Sequence, residues 1–299
     1  MQTPPRRPTV CRVCRLFGLC AGAEPVTATF WLLEAPDSLR AQSHREPDGT
    51  GLGYFDPGGR PHVDKQPLAA FHDRAFAREA RTVESSTFVA HIRFASTGVV
   101  ELRNTHPFEQ AGRLFAHNGV IEDLPRLEQR LSDANNLVRG DTDSERFFAL
   151  ITTETERHGG DVAGGVAAAV EWVAANLPVL SLNFVLTTAT ELWAFRYPDT
   201  HELHILERPA GGAKGGAEAL EQVSSHGTHV RSEHAARRPT VVIASEVMDS
   251  DPGWRALGSG ELIHVGPTLE VVSTKLIDEP PAHALRLEDL GGHARESQK

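Results

Sequence analysis

The residues best suited to chemistry sit at the front of the chain. All three cysteines, Cys11, Cys14 and Cys20, lie within its first twenty positions, too few and too crowded to staple a 299-residue protein. A thiol attacks a carbonyl when a base takes its proton, and the most compact base is the residue's own α-amino group once nothing precedes it. With a pKa of about 7.7–8.0, that amine is partly free base near neutral pH and acts through one water. Cys14 meets this requirement only if Met1 to Val13 are absent from the active form. Self-cleavage at the Val13–Cys14 bond is one route. Translation starting at position 13, on a valine codon that doubles as a bacterial start, is the other. Cys11-x-x-Cys14 also suggests half a zinc site or a redox pair, but no second Cys-x-x-Cys follows and no thioredoxin-like strand-to-helix context surrounds it.

Three later segments offer groups that a reaction at this thiol would need. In Ala90-His91-Ile92-Arg93-Phe94-Ala95-Ser96-Thr97, Arg93 presents a fork of donors suited to a carboxylate, with the hydroxyls of Ser96 and Thr97 beside it. The plainer alternative is a surface ion pair. In Ala116-His117-Asn118-Gly119-Val120-Ile121, the Asn118 side-chain N–H and the Gly119 backbone N–H can meet at one point and hold the oxyanion of a tetrahedral intermediate. An ordinary Asn-Gly turn is the alternative. In Gly140-Asp141-Thr142-Asp143-Ser144-Glu145, a carboxylate can bind a substrate ammonium, or the acids can simply stabilise a helix start.

The elements that must carry these groups follow from the pattern of apolar residues. Leu16 to Leu19 suits a buried strand, and Ala28 to Leu33 is too short to distinguish strand from helix. Ser43 to Gly53 reads as a polar, glycine-rich loop. Its Asp48-Gly49-Thr50-Gly51-Leu52-Gly53 imitates a phosphate cradle, yet it leads into a strand at Leu52 to Phe55 and a turn at Asp56 to Gly59, which is a hairpin. Phe88 to Phe94 and Leu114 to His117 are strands whose ends deliver the candidate residues. Asp143 to Glu156 is a helix capped by Thr142 or Asp143, and Asp161 to Leu177 is a second, alanine-rich one. Five further strands follow, at 182–188, 192–196, 203–206, 240–244 and 262–265. Strands, then helices, then strands indicate an α+β layered architecture without internal repeats. Met1 to Val13 is expected to be an unstructured leader, 14–277 the folded domain, Ala210 to Gly216 a mobile loop and Asp278 to Lys299 a polar surface tail.

Composition excludes several classes of function. With 40% hydrophobic and 23% charged residues, the chain has the make-up of a globular protein, and its length allows one large domain or two modest ones. A formal net charge of −10 opposes a phosphate backbone, so no nucleic-acid partner is expected. No apolar run reaches membrane-spanning length. The first residues imitate a secretion signal, but Arg12 and Arg15 break its apolar stretch, so cytoplasmic residence is expected.

Taken in order, Cys14-Arg15-Leu16-Phe17-Gly18-Leu19, the AHIRFAST segment with Asn104-Thr105-His106-Pro107-Phe108 after it, AHNGVI and GDTDSE resemble the class II glutamine amidotransferases. The His-Ile-Arg and Asn-Thr-His-Pro-Phe segments are most similar to the short stand-alone branch. The resemblance is strong from Cys14 to Leu150 and loose beyond. It implies a four-layer αββα sandwich of the N-terminal-nucleophile hydrolase type. It also implies Cys14 as nucleophile with its amino group as base, Asn118 and Gly119 as oxyanion hole, Arg93 on the glutamyl α-carboxylate with Ser96 beside it, and Asp143 on the α-ammonium. Attack would release ammonia or an amine and leave a thioester for water to hydrolyse, with no metal or cofactor. Many members carry threonine and histidine where this chain has Ser96 and Thr97, and a larger aromatic at Phe94. His106 matches a family histidine near the site; it, His91 and His117 are read as supporting residues. The implied substrate is free glutamine, with ammonia passed to a separate synthase, or a larger γ-glutamyl compound, as in the amidohydrolases of ergothioneine synthesis and glutathione breakdown. The alternative is a non-catalytic regulatory or binding subunit whose Cys14 is blocked by its leader.

Overall fold

The computed structural model describes residues 14–44, 49–93, 101–210, 238–291 and 295, together with the backbone of 220–223 and 229–232. The leader, Phe94, Ser96 and Thr97, and all but the first residue of the expected loop from Ala210 lie outside the described residues.

Two large sheets dominate. The first runs β15 (Arg255–Ala256), β11 (His204–Arg208), β14 (Thr240–Ala244), β1 (Arg15–Cys20), β6 (Thr87–Arg93), β3 (Gly49–Phe55) and β4 (Pro61–Gln66). The second runs β17 (Val271–Lys275), β16 (Glu261–Val265), β10 (Leu192–Arg196), β9 (Pro178–Thr187), β8 (Arg113–Ile121) and β7 (Phe108–Gln110), with β18 (His283–Ala284) parallel beside β9. Two small ribbons, β2 (Val26–Thr27) with β5 (Glu84–Ser85) and β12 (Leu220–Val223) with β13 (His229–Ser232), complete the strands.

The strand period of two sorts side chains into layers. From β1, Leu16 and Cys20 join Val89, Leu114, Ala116, Val185 and Ile243 between the sheets. Phe17 and Leu19 point the other way, onto Phe30, Trp31 and Leu32, Leu39 of α1 (Leu39–Gln42), and Phe76 and Ala80 of α2 (Arg74–Thr82). On the opposite flank, Phe115, Phe184 and Leu186 of the second sheet pack against α3 (Leu124–Leu131), α4 (Asp143–Arg157) and α5 (Val162–Asn176). The result is the α+β, four-layer αββα sandwich. No helix among the described residues is long and apolar enough to cross a membrane.

Several local expectations change. Gly49 to Gly53 is strand rather than loop, and the hairpin through Asp56 to Gly59 then turns into β4. The short Ala28 to Leu33 segment contributes a π-helical turn at Phe30–Glu34. Asn118 and Gly119 do not form a turn: β8 continues through them to Ile121, paired with Asn183 and Leu182 of β9. Thr142 caps α4, its hydroxyl accepting from Glu145 N at 3.2 Å. The stretch from Asp278 is exposed over much of its length, yet β18 pairs with β9 and Leu290 is buried against Val120 and Leu180.

The glycines of β3 have a positional reason. A Cβ on Gly49 would lie 3.3 Å from the Thr105 methyl, on Gly51 1.9 Å from the His106 carbonyl oxygen, and on Gly53 3.0 Å from Pro107 Cγ. The Thr105–Pro107 segment therefore packs against this strand, with its backbone closest at Gly51, as a bare glycine permits. We expect Gly51→Ala to lower stability on the order of 1–3 kcal/mol in urea unfolding, because backbone rather than a pliable side chain must move. Gly258→Ala, whose added Cβ meets nothing nearer than 3.5 Å, should be close to neutral. A Gly51→Ala protein as stable as the parent contradicts this close approach.

Candidate active site

Cys14 leads directly into β1, and three contacts pin the start of that strand. Leu16 N donates to Ser245 Oγ at 2.9 Å, Ser245 N donates to the Leu16 carbonyl at 3.1 Å, and Arg15 forms a 2.6 Å ion pair with Glu246. Arg15 is only 2% exposed, so it is a structural anchor. From the second sheet, Asn118 Nδ2 donates to the Cys14 carbonyl at 3.0 Å. That bond crosses between the sheets and fixes the Cys14 backbone against the candidate oxyanion donors. An amide NH2 has two hydrogens, so one remains for a substrate oxygen.

The expected site residues converge. Cys14, Arg93, Gly119 and Asp143 line one small cleft together with His91, Asn104, His106, His117, Thr142 and Ser144. Arg93 closes β6, and Gly119 faces the cleft from β8. A Cβ on Gly119 would sit 1.8 Å from the Ser181 carbonyl oxygen and 2.6 Å from His117 Nε2, so only glycine fits there. Because Thr142 caps the helix, the Asp143 carboxylate is left for other work: Oδ2 accepts from Ile121 N at 2.9 Å, and Ser144 Oγ donates to Oδ1 at 3.4 Å. Ser96, the remaining expected contact, lies outside the described residues.

The two described cysteines differ sharply in role. Cys20 is fully buried between the sheets, and burial pushes its thiol up to about 11, leaving it a poor nucleophile. Cys14 is the one that lines the cleft.

Three buried histidines surround the site. His117 is held by Ser144 Oγ at 3.0 Å and the Ser181 carbonyl at 3.2 Å. The rings of His91 and His106 lie 4.2 Å apart, and none of their nitrogens finds a hydrogen-bond partner among the described residues. Burial, reinforced by Arg93, brings His91 down to about 3. His106 is likewise well below its ordinary value, through burial and then its neighbouring histidines. Burial also lowers His117, against the pull of Asp143, so all three rings are neutral near pH 7, and Arg93 and Asp143 are the oppositely signed groups lining the cleft. Sequence reasoning assigned the histidines a supporting role but missed Ser144, Asn104, Ser245 and Glu246. The first two sit inside motifs already singled out, whereas the last two are more than 200 residues from Cys14 and carry no local signal.

Acid should therefore weaken the fold. A histidine whose folded pKa is depressed contributes stability that is complete above its unfolded value near 6.5 and is lost as pH falls toward the folded value. For His91 the loss between pH 7 and pH 5 comes to about 2 kcal/mol. His106 acts in the same direction. Urea unfolding at the two pH values should show a larger acid loss in the parent than in His91→Gln. Equal losses contradict the neutral, buried assignment.

A family profile described as "Glutamine amidotransferases class-II" matches residues 13–284. The gamma-glutamyl-hercynylcysteine sulfoxide hydrolase of Mycobacterium tuberculosis is 27% identical over 263 residues, covering 85% of this chain and 93% of that protein. The putative glutamine amidotransferase YafJ of Escherichia coli is 29% identical over 222 residues, covering 72% of this chain and 83% of that protein. Among solved structures, the glutamine phosphoribosylpyrophosphate amidotransferase of Bacillus subtilis superposes with a TM-score of 0.61 at 18% identity. That overlap covers 89% of this chain but 50% of the larger protein, and it speaks to the fold alone. With a family match that begins at the residue before Cys14 and spans both sheets, the chain belongs to the class II glutamine amidotransferases, enzymes built on the N-terminal-nucleophile sandwich.

Proposed function

We propose that this chain is an N-terminal-cysteine amidohydrolase that cleaves the γ-amide of a γ-glutamyl compound and releases glutamate together with an amine or ammonia. The observation that carries this reading is the convergence of Cys14, Arg93, Gly119 and Asp143 on one cleft, with Asn118 bonded to the Cys14 carbonyl. In this reading Arg93, with Ser96, takes the α-carboxylate of the glutamyl group and Asp143 takes its α-ammonium. The free amino group of Cys14 accepts the Sγ proton through a water, and the thiolate adds to the γ-carbonyl. Asn118 Nδ2–H and Gly119 N–H receive the oxyanion. The protonated amine then passes its proton to the leaving nitrogen, which departs and leaves a thioester. Water, deprotonated by the same amine, hydrolyses the thioester to glutamate and restores the thiol. The scheme requires the catalytic unit to begin at Cys14, with Met1 to Val13 absent. The reading places the reaction in the cytoplasm, where a thiol stays reduced.

The match over 93% of the mycobacterial hydrolase supports self-contained hydrolysis. Free glutamine is the competing substrate, and its ammonia would go to a separate synthase. Glutamate release from glutamine and from γ-glutamyl amides should be assayed alongside intact mass and N-terminal sequence of the protein made from its native gene. A mature chain starting at Cys14, with release abolished by Cys14→Ala, is expected. Retention of Met1 to Val13 on a protein that releases no glutamate instead selects the non-catalytic alternative.

Arg93→Lys keeps the charge but loses the planar fork. It should raise KM for the γ-glutamyl substrate by about 10- to 100-fold with a smaller change in kcat. An unchanged KM removes Arg93 from the substrate's carboxylate.

A further inference from the structure

A second cavity, of about 390 Å3, backs onto the Cys14 cleft. The two share a wall: Asn104, His106 and Ser144 face the cleft, while their chain neighbours Arg103, Pro107 and Glu145 face the second cavity. Three cations line it, Lys65, Arg103 and Arg139, against two carboxylates, Glu109 and Glu145. The carboxylates have other work, since Glu145 accepts from Gly140 N at 2.6 Å and Glu109 from Gly112 N at 3.1 Å. Arg103 is tied to Glu101 at 2.8 Å and to Asp141 at 3.0 Å.

Among the described residues, neither Lys65 nor Arg139 forms a direct ion pair, although Glu145 shares the cavity. Arg139 makes no ion pair with the described residues, and Lys65 has only neutral partners: Nζ donates to the Thr105 carbonyl at 2.7 Å and to the Pro107 carbonyl at 3.4 Å, and lies 5.1 Å from the Phe108 ring centroid. Burial brings the Lys65 ammonium down to about 8; Arg139 pushes the same way, while Glu145 opposes. An ammonium penalised by burial and by a second cation, in a cavity walled partly by Val63, Leu102 and Phe108, has the physical signature of a site awaiting an anion.

We propose that this cavity binds a small ligand bearing an oxyanion, a carboxylate or a phosphate, held by Lys65 and Arg139, and that Lys65 couples it to the Cys14 cleft. An ammonium has three hydrogens. Two of those on Lys65 reach the carbonyls on either side of His106, and the third is available to the ligand. An anion there stabilises the charged lysine and so firms its hold on the segment that carries His106 into the cleft. The binding stands on this cavity alone, whereas the coupling rests on the hydrolase reading above.

The test is isothermal titration of the full chain with inorganic phosphate and, separately, with succinate, at constant ionic strength set with chloride. Saturable binding of at least one is expected, and the better probe identifies the source of the oxyanion. Arg139→Ala should weaken it by at least about tenfold, and Lys65→Met should abolish it. The bound anion should also shift KM for glutamate release in the parent and not in Arg139→Ala. No saturable binding up to roughly 10 mM, near the weak end of specific affinity, overturns the proposal. So does an affinity that Arg139→Ala leaves unchanged. Binding with an unmoved KM overturns the coupling, and a chain that releases no glutamate but still binds the anion fails only the hydrolase reading.

Discussion

The site depends on two sheets closing face to face over a shared buried apolar layer. The layer between them is buried and apolar around Leu16, Val89, Leu114, Val185 and Ile243. At the Cys14 cleft the same strands present Cys14, Arg93 and Asn118 instead. The opening is kept by backbone rather than by bulky side chains: the bare β3 glycines accept the Thr105–Pro107 segment, which brings His106 into the cleft wall. The Asn118 to Cys14 hydrogen bond then ties the sheets together at the Cys14 cleft.

Electrostatics follows from the same closure. Burial keeps His91, His106 and His117 neutral, so the cleft offers a guanidinium from Arg93 and a carboxyl group from Asp143. That pair suits a zwitterionic head such as the α-carbon end of a glutamyl group. Thr142 contributes indirectly: by capping α4 it frees Asp143 from the work an acid at a helix start usually does.

Much of this was legible in the sequence because it is written in short, local patterns. Short apolar runs and stretches of strand formers marked β1, β6, β9, β10 and β14, and Arg93, Gly119 and Asp143 do line one cleft. What misled was also local. Asn-Gly favours a turn, yet Asn118 and Gly119 lie inside β8, because pairing with β9 across Ser181 and Asn183 outweighs the dipeptide's preference. A run of glycines reads as a loop, yet Gly49 to Gly53 is a strand, because the reason for those glycines is a backbone more than fifty residues downstream. Long-range anchors such as Ser245 on Leu16 and Glu246 on Arg15 leave no trace in a pattern of near neighbours. The second cavity was invisible for the same reason, since Lys65, Arg103 and Arg139 come from three separate segments.

The central claim is that Cys14 is the attacking group and that the cleft around it recognises a glutamyl head. The most direct measurement is to treat the mature protein with a glutamine analogue carrying a diazoketone in place of the side-chain amide, then locate the adduct by peptide mass spectrometry. The account predicts one adduct, on Cys14 alone, with excess glutamate protecting against it. A label on Cys20, or labelling of Cys14 that glutamate does not slow, would contradict it.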